Sequence, residues 1–242
     1  MSSNRSSKSF INDIKTVVFD IVGTLLDSTG TVIRETQEML GKQGIDERTS
    51  KEMAEKWIEG QSSVQQAIIE GTQPWVIEDD IRRYQLSSIL ENEEIRLDHD
   101  DFEYLANVGR RFAPWPEASR QLNDLSSLIT TIGLTNSGFI QIIEACTHGK
   151  LRWHALFSSQ FARTYKPHPA AYKLAIDGLE IHPSKALYIS THPWDLRAAA
   201  SHGFRTAYLP REYAQGPGPN DKFDLNLESL DDLINLLQRC IV

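Results

Sequence analysis

From Lys15 the chain reads KTVVFDI, an apolar, β-branched run without polar alternation, which is the pattern of a strand covered on both faces in a parallel sheet. It closes at Gly23-Thr24, a loop signal. Comparable runs recur at 128–134 (LITTIGL), 155–160 (ALFSSQ), 186–190 (ALYIS) and 204–209 (FRTAYL). Helical periodicity occupies the intervals at 138–146, 169–178 and 194–201. Strands alternating with helices predict an α/β fold, an open parallel sheet joined by right-handed crossovers.

A different pattern fills residues 28–112, where charged, amphipathic stretches such as SKEMAEKWIEG and DDIRRYQLSSILENEEI predict helices and no buried strand. The prolines of Ala113-Pro114-Trp115-Pro116 disfavour further helix and mark the return to the sheet. The expected organisation is therefore an α/β core of 10–27 and 113–242, interrupted by a helical insert of 28–112. Residues 210–222 (PREYAQGPGPNDK) predict a surface loop, and no internal repeat is present.

Composition narrows the classes of function. The 242 residues, 40% hydrophobic and 24% charged, describe an ordinary globular protein. A net charge of -8 disfavours nucleic acid as a partner, because grip on phosphate backbones needs clustered Lys and Arg. Cys146 and Cys240 stand alone, with no disulfide or metal-binding spacing, which fits a reducing, cytoplasmic setting. The opening MSSNRSSKS is polar and no apolar run approaches a bilayer span, so neither a signal peptide nor a membrane partner is expected.

In an open α/β sheet, ligands bind beyond the carboxyl ends of the strands. The residues at those ends are Asp20, Gly23 and Thr24; then Thr135, Asn136 and Ser137; then Lys166; and finally Ser190, His192 and Asp195. Taken singly they have plain structural explanations, as turn and cap residues or as solvated charge. Together they place one carboxylate, one ammonium, several hydroxyls and a second carboxylate at converging positions, the composition of a nucleophile with electrostatic support.

The ordered segments FDIVGTLLD (19–27), LTNSG (134–138), YKPHPAAY (165–172) and ISTHPWDLRAA (189–199) resemble the motifs of the haloacid dehalogenase superfamily. YKPHPAAY, with Lys166 and Tyr172, and Trp194-Asp195 followed by GFRTAYLPR (203–211) are similar to its type II (L-2-haloacid) dehalogenases. The resemblance implies a Rossmann-like core with an inserted helical cap. It also implies a small-molecule substrate, no cofactor and no metal. Asp20 would be the nucleophile, forming an ester while halide leaves, with Thr24, Lys166 and Asp195 completing the catalytic set. Lys166 would hold Asp20 or a substrate carboxylate, and Asp195 would orient Lys166 or activate water. Thr135, Asn136, Tyr172, Ser190 and His192 would bind substrate, Tyr172 also bracing the site; His192, by the chemistry of its own side chain, would orient the hydrolytic water or act as a base. Arg34 would bind halide from the cap, with Arg48, Arg82 and Arg83 as alternates. A cap helix packed against its twin would make a homodimer.

Phosphatases of the superfamily carry a second Asp two residues after the nucleophile and another in the fourth motif; here those places are Val22 and Thr191. Valine transfers no proton, so acid catalysis worth about 10²–10⁴-fold is missing, whereas a halide leaves unprotonated. Type II dehalogenases have Tyr at Val22 and Asn at His192, two departures that bear on specificity. Trp57, Trp75 and Trp115 would line an apolar pocket, or else pack as ordinary core. A phosphatase-like hydrolase, and a fold reused for binding or converting a specialised metabolite, remain as alternatives.

Overall fold

The computed structural model describes residues 10–241. In chain order the elements are β1 (Thr16–Phe19), β2 (Leu26–Asp27), α1 (Ser28–Gly41), α2 (Glu47–Ile69), α3 (Glu78–Asn92), α4 (His99–Ala106), β3 (Ala113–Pro114) and α5 (Ala118–Ser126). They continue with β4 (Thr130–Thr135), α6 (Phe139–His148), β5 (Ala155–Ser158), α7 (Pro169–Gly178), β6 (Ala186–Ser190), α8 (Pro193–Ser201), β7 (Arg205–Tyr208), β8 (Leu225–Asn226) and α9 (Leu230–Ile241).

Six strands form one parallel sheet in the order β5-β4-β1-β6-β7-β8. The chain leaves β1 toward β4 and β5, then returns to the other side of β1 with β6. Loops therefore diverge at the carboxyl end of β1, where an open sheet of this kind forms its crevice. The period-2 alternation of a strand distributes the apolar run over both faces. Val17, Phe19, Leu187 and Ile189 enter the larger core cluster, while Val18, Tyr188, Ile132 and Leu134 face the other way with Leu196 and Phe204. Both layers are buried, which is why these strands read as continuous hydrophobic runs.

The sheet bears out the α/β architecture, with shifts at element ends. The 128–134 run begins its strand only at Thr130, and the 155–160 run leaves the sheet after Ser158 for a short 3₁₀ turn, Ser159–Ala162. The edge strand β8, the carboxyl-terminal helix α9 and α5 had no assigned counterpart in the sequence pattern. Strands of two residues carry too little periodicity to be recognised.

The helices α1–α4 follow β2 and precede β3, and these two short strands pair antiparallel as Leu26↔Pro114 and Asp27↔Ala113. Aspartates start three of the four. The Asp27 side chain accepts from Gly30 N at 2.8 Å, Asp46 from Thr49 N at 3.0 Å and Asp98 from Asp101 N at 2.8 Å. Helix α3 has no side-chain cap, but Glu78, Asp79 and Asp80 in its first turn complement its dipole.

Candidate active site

Asp20 directly follows β1, and its backbone N still donates to Ile189 O at 2.9 Å, so the sheet ladder fixes where its carboxylate points. Two donors hold it: Thr24 Oγ1 to Oδ2 at 2.6 Å and Lys166 Nζ to Oδ1 at 2.8 Å. The turn that brings Thr24 back runs through Gly23 at φ +85°, a left-handed conformation suited to glycine. Thr24 Oγ1 also accepts from Thr191 N at 3.0 Å, tying the loop after β1 to the loop after β6.

Lys166 uses all three of its protons. Besides Asp20, it donates to Asp195 Oδ2 at 2.8 Å and to Tyr188 Oη at 2.9 Å. Asp195 is fully buried, and its other oxygen accepts from Tyr172 Oη at 2.6 Å. Tyr188 Oη donates to the same carboxylate, at 3.1–3.2 Å from its two oxygens. Burial alone would lower the Lys166 pKa, but the charges of Asp195 and Asp20 outweigh it and raise the value above that of a free lysine. Burial, then the neighbouring Asp195, pushes the Tyr172 and Tyr188 hydroxyls upward as well, so both remain protonated donors. The result is a pre-organised group of two carboxylates bridged by one ammonium.

Asn136 pins Lys166 from behind. Its Oδ1 accepts from Lys166 N at 2.7 Å and its Nδ2 donates to Lys166 O at 3.2 Å. It also borders the cavity above Asp20, as do Thr135, Ser137 and Lys166. This cavity holds about 240 Å³ and is closed on its far side by helices α1–α3 through Thr29, Val32, Gln61, Glu78 and Arg82.

Three residues expected to bind substrate, and Asp195 of the expected catalytic set, lie outside the cavity lining. Tyr172 and Ser190 are fully buried and are not among the cavity's lining residues. Tyr172 instead braces Asp195, and Ser190 Oγ accepts from His192 N at 3.0 Å, shaping the loop. Asp195 itself lies behind Lys166, away from the cavity, which favours orienting the ammonium over activating water. Arg34 is the clearest correction: it is half exposed on α1, pairs with Asp27 at 3.1 Å and does not border the cavity. Its guanidinium is engaged by Asp27, the N-cap of its own helix, and by Thr31 Oγ1 at 3.2 Å.

The arginine that does border the cavity is Arg82, 3% exposed on α3. One edge of its guanidinium pairs with Glu78, its group lies 5.0 Å over the Phe112 ring, and its Nε has no hydrogen-bond partner. Glu78 is held in turn by Gln141 Nε2 at 2.7 Å. Gln61 Nε2 is a second buried donor without a partner. Trp57 packs beneath this wall, donating to Arg82 O at 2.8 Å; Trp75 joins the Ile68, Ile81 and Tyr165 cluster; Trp115 donates to Gly23 O at 3.0 Å. None of the three borders the main cavity, whose aromatic residues are Phe112 and Trp194. Tyr188 and Arg82 are the contributors that sequence reasoning missed or ranked low.

The donor set does not fit a magnesium site. A hard cation would need the oxygens of Asp20 and Asp195, and the Lys166 ammonium already bridges them. Among the described residues no other group of three or more His, Cys, Asp or Glu is arranged to hold a metal. No described helix is long and apolar enough to cross a membrane.

Comparison with known proteins identifies relatives of the whole chain. The family model for haloacid dehalogenase-like hydrolases matches residues 14–203. The (S)-2-haloacid dehalogenase 1 of Pseudomonas sp. (strain CBS-3) is 24% identical over 242 residues, spanning 95% of this chain and 99% of that protein. The (S)-2-haloacid dehalogenase of Xanthobacter autotrophicus is 28% identical over 203 residues, spanning 82% and 76%. In fold, the crystal structure of the L-2-haloacid dehalogenase from Xanthobacter autotrophicus superposes with a TM-score of 0.76 at 21% identity, covering 93% of this chain and 98% of that one. Another L-2-haloacid dehalogenase structure reaches a TM-score of 0.84 at 24% identity, covering 93% and 99%.

Proposed function

This chain belongs to the haloacid dehalogenase-like hydrolases, and from that premise we propose that it is a 2-haloacid dehalogenase working through an Asp20 ester without a metal. The observation that carries the proposal is the Lys166 ammonium, 2.8 Å from both Asp20 and Asp195 at the floor of the cavity. It supplies the positive charge beside the nucleophile that a divalent cation would otherwise supply. Valine at position 22 offers no acid for an alkoxide leaving group, and a halide needs none. The named activities of the relatives point to the same chemistry.

In this mechanism an Asp20 oxygen attacks C2 of the haloacid in line with the carbon–halogen bond, the halide leaves with the bonding pair, and an ester remains. Thr24 and Lys166 hold the attacking carboxylate in one orientation, the positional effect that makes such displacements fast. The peptide and side-chain donors of the 135–137 turn receive the substrate carboxylate, and Arg82 forms the cationic side of the wall toward which halide departs. Water then attacks Asp20 Cγ, so carbon is substituted once and the 2-hydroxy acid emerges inverted. Residues 28–112 act as the cap that closes this site over the core of 10–27 and 113–242.

The direct test is halide release from racemic 2-chloropropionate and monochloroacetate in EDTA, with Asp20→Asn as control. Release by the unaltered protein alone supports the proposal. Silence toward haloacids, with magnesium-stimulated cleavage of a nitrophenyl phosphate, would replace it with phosphoryl transfer.

A further inference from the structure

We propose that His192 is the general base that takes the proton from the water hydrolysing the Asp20 ester; this rests on the dehalogenase mechanism above. An ester on Asp20 has to be cleaved by a water with a proton acceptor beside it. Asp195 is poorly placed for that work. It is fully buried, does not border the cavity, and its oxygens are engaged by Lys166 at 2.8 Å, Tyr172 at 2.6 Å and Tyr188 at 3.1–3.2 Å. Glu78 borders the cavity but is tied to Arg82 and to Gln141.

His192 is different in each respect. It lines the cavity, its side chain retains 29% exposure, and its Nε2 lies 3.7 Å from Asp20 Oδ2. That separation is too long for a direct hydrogen bond and short enough for one water to contact both atoms. The ring is held in place by stacking on Trp194, ring centroids 5.6 Å apart; Nε2 also stands 3.3 Å from Val22 O, a contact made when Nε2 carries a proton and given up when it acts as base. The loop facing it is shaped to admit it: a Cβ at Gly23 would stand 2.8 Å from His192 Nε2, so this glycine serves close approach as well as its positive φ.

The charged and titratable groups around His192 are Asp20, Lys166, Glu78 and Arg82 about the main cavity, and Asp27, Glu212 and Tyr213 about the smaller cavity it also borders. Alkylation turns the Asp20 carboxylate into a neutral ester, and the step begins with His192 as the neutral imidazole. Nε2 then accepts one water proton as the water oxygen bonds to Asp20 Cγ. The tetrahedral species collapses by breaking the bond from Cγ to the ester oxygen. The departing 2-hydroxy acid oxygen takes the proton back from Nε2, and Asp20, left as a carboxyl by the second water proton, passes that proton through Nε2 to solvent and is restored as carboxylate, with no net oxidation or reduction.

The test is pre-steady-state halide release from 2-bromopropionate by the full chain, with His192→Phe and His192→Leu beside the unaltered protein, and intact mass recorded across each time course. The variants are expected to release about one halide per site in a burst and to accumulate the ester mass on Asp20. Their turnover should then fall by roughly 10²–10⁴-fold, the usual worth of a general base. The unaltered protein should show, in single-turnover deacylation, an acidic limb that the variants lack. Turnover and pH profile unchanged in a folded variant, or a variant whose loss lies in the burst itself, would overturn the role. If instead the unaltered protein releases no halide, the dehalogenase mechanism fails with it, a result recognisable because the parent rather than the variant is silent.

Discussion

The two walls of the cavity are built on opposite terms. On the sheet side, Asp20, Lys166, Asp195, Tyr172 and Tyr188 form a closed network in which every Lys166 proton and both Asp195 oxygens are engaged. On the helix side, Arg82 and Gln61 each keep a buried donor without a partner. Buried polar groups are ordinarily satisfied, so the first arrangement is complete as it stands and the second leaves donors free to engage a ligand. In the mechanism proposed above, the sheet wall carries the chemistry and the helix wall selects what undergoes it. Changes on the first should strike kcat and stability, and changes on the second should strike KM and substrate preference.

The sharpest attempt to break this contrast is Lys166→Met. It leaves two carboxylates facing each other in a buried site, and removing one partner of such a pair costs about 3–5 kcal/mol. Halide release should vanish and chemical denaturation should show a loss of that order. Wild-type stability together with lost activity would show that Asp20 and Asp195 do not depend on the ammonium for burial. Tyr172→Phe comes next: it removes the 2.6 Å donor to Asp195, at a cost of about 1.5–3 kcal/mol for a hydrogen bond to a charged group, and should lower kcat with KM little changed.

A pH series sharpens the same wall. The Lys166 pKa is raised in the folded protein, so the ammonium network contributes its full stability below the ordinary lysine value and loses it only as pH climbs through the higher folded value. Stability followed by circular dichroism should therefore hold to about pH 10.5 before this contribution declines. Decline attributable to Lys166 at lower pH, seen as a difference from Lys166→Met, would contradict the network.

On the helix wall, Arg82→Gln should raise KM for 2-haloacids by roughly tenfold or more, about 1.4 kcal/mol or above, while the ester-forming groups stay in place. The smallest effect is expected for Arg34→Gln. Its ion pair with Asp27 is half exposed, and turnover should be unchanged with stability within about 0.5 kcal/mol. Equal losses from the Arg82 and Arg34 changes would erase the distinction between a cavity arginine and a helix-end arginine.

Much of the sheet wall was legible in the chain because its residues sit at fixed offsets from apolar runs, and a parallel sheet delivers strand ends to one edge. Thr24, Thr135, Asn136, Lys166 and His192 all arrive near Asp20 in that way. Tyr188 was not legible, since a tyrosine inside ALYIS looks like any other core side chain until Lys166 Nζ is found 2.9 Å from its hydroxyl. Arg82 was harder still. A basic residue among DDIRRYQL has the local signature of a solvated helix face, and only the packing of α2 against α3, with Trp57 donating to the Arg82 carbonyl, turns that face inward.

By itself, then, the order of residues determined the α/β class, the helical stretch of 28–112 and the position of Asp20 and Lys166 as candidate nucleophile and partner, because these follow from local periodicity, from position at strand ends and from the motifs that resemble the superfamily's. Which arginine meets the cavity, which polar side chains merely brace others, and how closely His192 approaches Asp20 were decided only by tertiary structure. Such choices depend on helix rotation and on contacts between segments far apart in the chain, such as Lys166 with Asp20 and Gln141 with Glu78, and no local pattern encodes those distances.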